Sequence, residues 1–170
     1  MNSKIIATQS LASRATPRTG YTDRMPAAHS RPQTLPERVV FFDGVCGFCN
    51  RAIRWLMDHD PDHRLYYASL QGDTASAVRV RHVEFPRDVD TVVLLERGSD
   101  GEHIHLRSDA VLRIVAAIEG PWRRLAWLRV LPRPILDWGY RLFARHRYRM
   151  FGQLDACPTP REDERARFVP

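Results

Sequence analysis

The chain has 170 residues, of which 44% are hydrophobic, and a formal net charge of +6. This length suits one domain with a core of ordinary size. No apolar run approaches the roughly 18 residues that a membrane-spanning helix needs. Three cysteines are too few for a secreted disulfide scaffold, so we predict a protein of a reducing compartment, the cytoplasm.

Residues 1–37 are rich in Ser, Thr, Pro, Arg and Ala and show no apolar periodicity. We predict a disordered N-terminal extension here. Two alternatives remain open. Translation can begin at Met25, or the segment can be an organellar transit peptide, which has the same Arg- and Ser-rich, acid-poor composition.

The alternation of apolar runs and turn residues predicts the elements that follow. The run 39–42, bounded by Pro36 and by Asp43-Gly44, predicts a buried strand, and helical spacing from Cys46 predicts a helix ending before Pro61. Further strands are predicted at 65–68, 91–95 and 103–106, and further helices at 74–81 and 108–118, the last with Ser108 as its N-cap. The order β-α-β-α-β-β-α, with Cys-x-x-Cys at the first strand-to-helix junction, predicts an α/β, thioredoxin-like domain over 38–120.

A helical extension is predicted over 121–152, followed by a polar C-terminal tail, 153–170. Residues 121–149 hold eight basic residues and one acidic residue around a stripe of large apolar side chains. We expect the stripe to pack on the sheet; the alternative is a pair of helices that contacts a partner or, peripherally, a membrane surface. No nucleic-acid-binding motif accompanies the charge, so we expect no nucleic-acid partner.

The residue types and spacing of Cys46 and Cys49 imply chemistry. Two thiols three positions apart at the start of a helix can form a disulfide and reopen it, and the helix N-terminus favours the thiolate form. The spacing predicts a redox pair in which Cys46 attacks and Cys49, one turn on, resolves. Half of a zinc site, completed by Cys157, His59 or His63, and inert structural thiols are the alternatives. Because further ligands are sparse, we predict no metal and no cofactor.

Segment 42–51, FDGVCGFCNR, resembles the signature of the DCC family, thiol-disulfide oxidoreductase-like proteins named for that Asp, Cys and Cys. Further similar segments follow in order at 68–71, 90–94, 107–110, 120–122, 131–134, 147–148, 151–152 and at Cys157. The resemblance spans about 39–168. It implies a thioredoxin-like fold and thiol–disulfide exchange activity. We predict a protein or small-molecule disulfide as the partner and an unidentified cellular donor that re-reduces the pair.

Four further residues are candidates for the site. Asp43, which the family signature includes, can accept a proton or tune the thiol pair, or it can be a turn residue that ends the strand. Gln71, Ser108 and Asp109 match family positions, and the connections that carry them can gather near the cysteines, which implies substrate binding. The alternatives are helix capping for Ser108 and a favourable helix-dipole charge for Asp109.

One position departs from well-studied thioredoxins, which have a cis-proline beside the disulfide before the third strand. Asp90 precedes Thr91 at that junction, which argues against general disulfide reduction. Cys157 is either a third redox thiol or an ordinary cysteine.

The leading prediction is a thiol–disulfide oxidoreductase, and the alternatives are a non-catalytic thioredoxin-like binding module and a small zinc-binding protein. No feature of the sequence predicts an oligomeric state.

Overall fold

The computed structural model describes residues 35–87, 91–155 and 157–170. Most of the predicted N-terminal extension, residues 1–34, lies outside these ranges, and so does Asp90 at the expected cis-proline position. The elements, in chain order, are β1 (Arg38–Phe42), α1 (Gly47–Asp58), β2 (Tyr66–Ser69), α2 (Asp73–Arg81), β3 (Val93–Gly98), β4 (Gly101–Leu106), α3 (Arg107–Ala117), a 3₁₀ helix (Pro121–Val130), α4 (Arg133–Phe151) and a 3₁₀ turn (Arg165–Arg167). Their order up to α3 confirms the prediction.

The four strands form one mixed sheet in the order β2-β1-β3-β4. Strand β1 runs parallel to β2 and antiparallel to β3. Strands β3 and β4 form a hairpin whose turn is Ser99-Asp100. A parallel βαβ unit followed by a hairpin and a helix is the thioredoxin-like α/β arrangement that the sequence predicts.

Strand β1 is buried on both faces. Val39 and Phe41 contribute to the core on the side of α2, whereas Val40 and Phe42 contribute to the core under α1 and α3. Such two-sided burial explains why the strand is a continuous apolar run rather than an alternating one. The loop after Phe42 therefore leaves the middle of the sheet at a strand's carboxyl end, where open α/β folds place their sites.

Helix α4 packs beside α1 and α3 through aromatic side chains. The rings of Phe143 and Phe151 lie 4.7 and 4.9 Å from that of Phe48 on α1, measured between centroids. The expectation that the apolar stripe of 121–149 packs on the sheet is wrong, because this region packs on α1 and α3 instead. Most of its large apolar side chains stay exposed, Trp127 and Trp138 by 78% and 64%. No helix within the described ranges is both long and apolar enough to cross a membrane.

The C-terminal residues pack against β2. Arg167 is buried, pairs with Asp60 and donates to the carbonyl of Leu65 at 3.1 Å. Val169 donates its amide to the carbonyl of Tyr67 at 2.8 Å. These contacts attach the end of the chain to the outer edge of the sheet.

The predicted N-cap of α3 is wrong. The helix begins at Arg107, directly after β4, with Leu106 as the N-cap residue. Ser108 therefore lies inside the first turn, where its hydroxyl donates to Asp137 of α4 instead of capping. A tertiary partner has replaced the local hydrogen bond that the sequence pattern favours.

Candidate functional site

The two cysteines open α1 at the centre of the sheet. Cys46 is the N-cap residue, and its sulfur accepts the backbone N–H of Cys49 at 3.3 Å. Cys46 is fully buried, whereas Cys49 is half-buried; both are free thiols. An N–H aimed at a sulfur at the positive end of a helix favours negative charge there. The pair thus has the arrangement that the sequence predicts for a redox-active Cys-x-x-Cys.

Side-chain amides hold the loop that precedes the cysteines. Asn50 donates to the carbonyls of Gly44 and Cys46, at 2.7 and 3.0 Å. The side-chain oxygen of Gln71 accepts the amide of Gly44 at 3.2 Å. Both amide side chains replace main-chain partners that a sharp strand-to-helix turn lacks, so the thiols are carried on a fixed loop.

Asp43 is buried and surrounded by four donors. Its Oδ1 accepts the amide of Val45 at 3.2 Å and Nε2 of Gln71 at 2.9 Å. Its Oδ2 accepts Nη2 of Arg147 at 3.2 Å and the hydroxyl of Tyr148. A carboxylate offers about four acceptor positions. All four are occupied, so the geometry favours a positioning role for Asp43 over that of a proton acceptor.

Arg147 and Tyr148 complete this site, although the sequence analysis assigned them no role. The guanidinium of Arg147 lies 4.8 Å from the ring of Tyr148 and donates to its hydroxyl at 3.1 Å. Burial lowers the pKa of Arg147, but the bond with Tyr148 and the charges of Cys49 and Cys46 outweigh it, so its pKa lies above the ordinary value. Burial, followed by the bond to Asp43, raises the pKa of Tyr148 to about 12, which keeps its hydroxyl a donor.

The Cys49 thiol is strongly biased toward its protonated form. Burial raises its pKa most, followed by the hydrogen bond and the charge of Cys46, while the Arg147 cation opposes the shift. The Cys49 thiol therefore holds its proton more strongly than an ordinary cysteine does. The division of roles between an attacking Cys46 and a resolving Cys49 stays a prediction.

Residues 152–154, the covering segment, lie across Cys46. The amide of Gly47 donates to the carbonyl of Gly152 at 3.4 Å, and the amide of Leu154 donates to the carbonyl of Val45 at 2.8 Å. Between these bonds, Cys46 faces Gln153 in an antiparallel bridge. The segment follows α4 directly, so the end of that helix closes off one of the two thiols.

Gly47 permits this close approach. A Cβ added at Gly47 would lie 2.6 Å from the backbone oxygen of Phe151, closer than side chains tolerate. Gly47 is therefore required by its close contact with the end of α4. Resemblance to a motif pointed to this segment, but only the fold explains its glycine.

A cavity of about 450 Å³ lies beside Cys49, between α1, α3 and α4. Its polar boundary is at one end, where Asp43, Cys49 and Arg147 meet, with Thr91 and Tyr140 nearby. Most of the wall is apolar and includes Phe48, Ile53, Trp55, Val111, Ile114 and Phe143. Cys49 is thus the thiol that faces a volume able to hold a ligand, whereas Cys46 does not line it.

The structure brings only one of the three predicted substrate-binding residues to the cysteines. Gln71 contacts Asp43, as described above. Ser108 and Asp109 line a separate hollow of about 100 Å³ between α3 and the segment 129–136. Asp109 is bound by Arg113 at 3.1 Å and by His105 at 3.0 Å. In the described ranges, no contact of Ser108 or Asp109 joins them to the Asp43 network.

Cys157 lies against the other side of the loop. Its sulfur would be 2.7 Å from a Cβ added at Gly44. Partial burial, followed by the charge of Asp43, raises the pKa of its thiol. Among residues 35–87, 91–155 and 157–170, no three His, Cys, Asp or Glu side chains cluster as metal ligands, and His59 instead packs on Trp55 with ring centroids 4.3 Å apart.

Comparison with known proteins agrees with this geometry. The model of the DCC1-like thiol-disulfide oxidoreductase family matches residues 40–153. The chain belongs to that family. The uncharacterized protein YuxK of Bacillus subtilis (strain 168) is 32% identical over 139 residues, which cover 81% of this chain and 98% of YuxK. A chloroplastic DCC family protein of Arabidopsis thaliana is 33% identical over 120 residues, 70% of this chain and 67% of its own. No solved structure matches the chain significantly.

The family match confirms the resemblance seen in the sequence and supports a redox role. Its range contains every part of the Asp43 network, from the strand end to Arg147 and Tyr148. It ends before Cys157. The family-matched region therefore includes the Cys46–Cys49 pair but not the third thiol.

Proposed function

We propose that Cys46 and Cys49 carry out thiol–disulfide exchange. The observation that carries this proposal is the N–H of Cys49 directed at the sulfur of Cys46 at 3.3 Å, with the buried Arg147 cation beside both thiols. An N–H at the start of a helix favours negative charge on the Cys46 sulfur that it contacts. Membership of a thiol-disulfide oxidoreductase family gives independent support.

In the proposed cycle, the Cys46 thiolate attacks a substrate disulfide, forms a mixed disulfide and releases the first substrate thiol. Cys49 then loses its proton and attacks the sulfur of Cys46, releasing the second thiol and leaving a Cys46–Cys49 disulfide. A cellular dithiol donor re-reduces the pair. Because Cys46 is fully buried, the first attack requires the covering segment to separate from residues 45–47.

Asp43 and Gln71 act as positioning residues in this proposal. They connect the loop before Cys46 to α4 through Arg147, and neither contacts a sulfur directly in the hydrogen bonds described above. Their effect on the reaction passes through the orientation of α1 and the placement of the Arg147 cation. Loss of either residue should therefore change rates more than the stoichiometry of exchange.

A trapping experiment tests the proposal. The Cys49→Ser variant should accumulate mixed disulfides on Cys46 that mass spectrometry detects, whereas Cys157→Ser should form a reversible Cys46–Cys49 disulfide as the native chain does. Titration against glutathione then gives the direction of electron flow: a potential near roughly −270 mV marks a reductant and one near roughly −120 mV an oxidant. Absence of both the trapped adduct and the reversible disulfide refutes the proposal.

The exposed face of the 3₁₀ helix and α4 favours a second candidate, a non-catalytic binding module. Trp127, Val130 and Trp138 are large apolar side chains that remain mostly exposed amid the arginines of this region. A cellular function preserved in a folded Cys46→Ser variant would favour this candidate.

We propose the cytoplasm as location, because the exchange cycle needs a donor of reducing equivalents; cell fractionation tests this assignment.

A further inference from the structure

We propose that the cavity beside Cys49 binds the uncharged, apolar group of a small-molecule disulfide; this inference rests on the exchange function proposed above and names its substrate class. The cavity of about 450 Å³ falls within the range of small-molecule sites, about 300–1,000 Å³. Its apolar walls end at Cys49, so a ligand that fills it brings its own sulfur atoms to that thiol. The backbone N–H of Cys49 contacts the Cys46 sulfur at 3.3 Å, so separation of the covering segment, which frees Cys46, lets Cys46 attack a disulfide held there.

The charges at the cavity end favour an uncharged ligand. Arg147 is the cation there, and its Nη2 is 3.2 Å from the carboxylate of Asp43, which balances its charge. The site therefore offers no net charge to a substrate carboxylate. Burying a carboxylate against these apolar walls would cost several kcal/mol, so glutathione disulfide fits this cavity poorly and an uncharged aromatic disulfide fits it well.

The main chain beside the cavity disfavours an extended peptide. Val92 lies at the cavity wall, directly before β3. Its amide donates to the hydroxyl of Tyr140 at 2.9 Å, and its carbonyl accepts the amide of Arg107 at 3.1 Å. A peptide that added main-chain hydrogen bonds at Val92 would have to displace both partners, whereas a small molecule needs neither.

The reaction balances with these groups alone. Cys46 thiolate attacks one sulfur of R–S–S–R, forming the Cys46–S–S–R bond and releasing R–S⁻. Cys49 thiolate then breaks that bond, forming the Cys46–Cys49 disulfide and releasing the second R–S⁻. The substrate disulfide is the oxidant and gains two electrons, and the two cysteines are oxidised. The released thiolates take up two protons, the one that Cys46 lost to solvent on forming its thiolate and the one that Cys49 loses before it attacks.

The test compares two uncharged disulfides that differ in apolar bulk, dipyridyl disulfide and bis-hydroxyethyl disulfide. Val111 lines the cavity from α3 and is partly exposed, so Val111→Trp fills the cavity from its rim. Val83→Trp is the matched control. Val83 follows α2, on the opposite side of the sheet from the cavity, and is 97% exposed. We expect Val111→Trp to raise KM for dipyridyl disulfide about tenfold, a loss of about 1.4 kcal/mol of binding. The KM for bis-hydroxyethyl disulfide should change less than twofold, and Val83→Trp should change neither.

A redox-inert analogue separates the cavity from the chemistry. Dipyridylethane has the shape of dipyridyl disulfide without sulfur, and calorimetry should show that it binds the native chain and the Val83→Trp variant but not Val111→Trp. Binding without exchange of either disulfide refutes the exchange function while retaining the cavity. Exchange without binding, or equal KM changes for both disulfides, overturns the cavity as the substrate site. Reduction of a disulfide-bonded protein such as insulin at higher kcat/KM than dipyridyl disulfide overturns the small-molecule assignment.

Discussion

Arg147 and Asp43, 104 positions apart in the chain, form a buried ion pair with 3.2 Å between Nη2 and Oδ2. The carboxylate precedes the cysteines on the loop after β1, and the guanidinium comes from the last turns of α4. A pair of charges this buried is retained only when each satisfies the other. Helix α4 is therefore a component of the thiol site and not an accessory to the domain.

Removing the cation should destabilise the fold strongly. We expect Arg147→Met to lower the free energy of unfolding by about 3–5 kcal/mol, because it leaves the Asp43 carboxylate buried without its main partner. Urea denaturation measures the effect. Arg145→Met, on an exposed position of the same helix, should cost less than about 0.5 kcal/mol. The double variant with Asp43→Asn should recover part of the loss; equal losses for Arg145→Met and Arg147→Met would contradict the assignment.

Loosening the covering segment should expose Cys46. The Leu154→Pro variant lacks the amide that donates to Val45 at 2.8 Å, whereas Leu154→Ala keeps it. One backbone hydrogen bond contributes about 0.5–1.5 kcal/mol, so alkylation of Cys46 by iodoacetamide should become up to about tenfold faster in Leu154→Pro. Peptide mass spectrometry assigns the modified cysteine. Similar acceleration in both variants would mean that side-chain packing, and not the hydrogen bond, covers the thiol.

Resolution of a mixed disulfide should accelerate with pH beyond the usual cysteine range. Burial is the largest cause of the raised pKa of Cys49, and it persists when Cys46 is in a mixed disulfide. Only the Cys49 thiolate resolves that bond, so below the raised pKa each pH unit should increase the rate about tenfold. Stopped-flow release of pyridinethione from the Cys46 adduct follows the step, with Cys49→Ser as the blank. A plateau at about pH 8.5, where free cysteine titrates, would be inconsistent with the buried thiol.

Two glycine-to-alanine changes should have opposite effects. Gly47→Ala places a Cβ 2.6 Å from the Phe151 carbonyl oxygen, and such overpacking costs about 1–3 kcal/mol. Gly139 lies inside α4 with nothing within 4 Å of an added Cβ. Gly139→Ala should therefore stabilise the chain by about 0.5–1 kcal/mol through helix propensity. Thermal and urea unfolding measure both; a neutral Gly47→Ala would show that the covering segment yields without cost.

Local patterns predicted the fold well because they act within one or two turns of chain. The apolar run that ends at Phe42 and the helical spacing after Cys46 each predicted the correct element. The N-cap of α3 failed because Asp137, far away in sequence, binds the Ser108 hydroxyl. Gln71 was selected through family resemblance, whereas Arg147 and Tyr148 lay in a family-like segment without a recognisable chemical role.

The sequence itself determines the Cys-x-x-Cys pair and the strand that ends beside it, since spacing along a helix and apolar runs along a strand are local properties. It also determines the family, through the signature residues around the pair. The tertiary structure alone decided that Cys46 is buried under residues 152–154 while Cys49 faces a cavity. It also decided that Asp43 is fully bonded by Gln71, Arg147 and Tyr148. These contacts join segments up to 105 positions apart, and only the packing of α4 on α1 and α3 brings them within bonding distance.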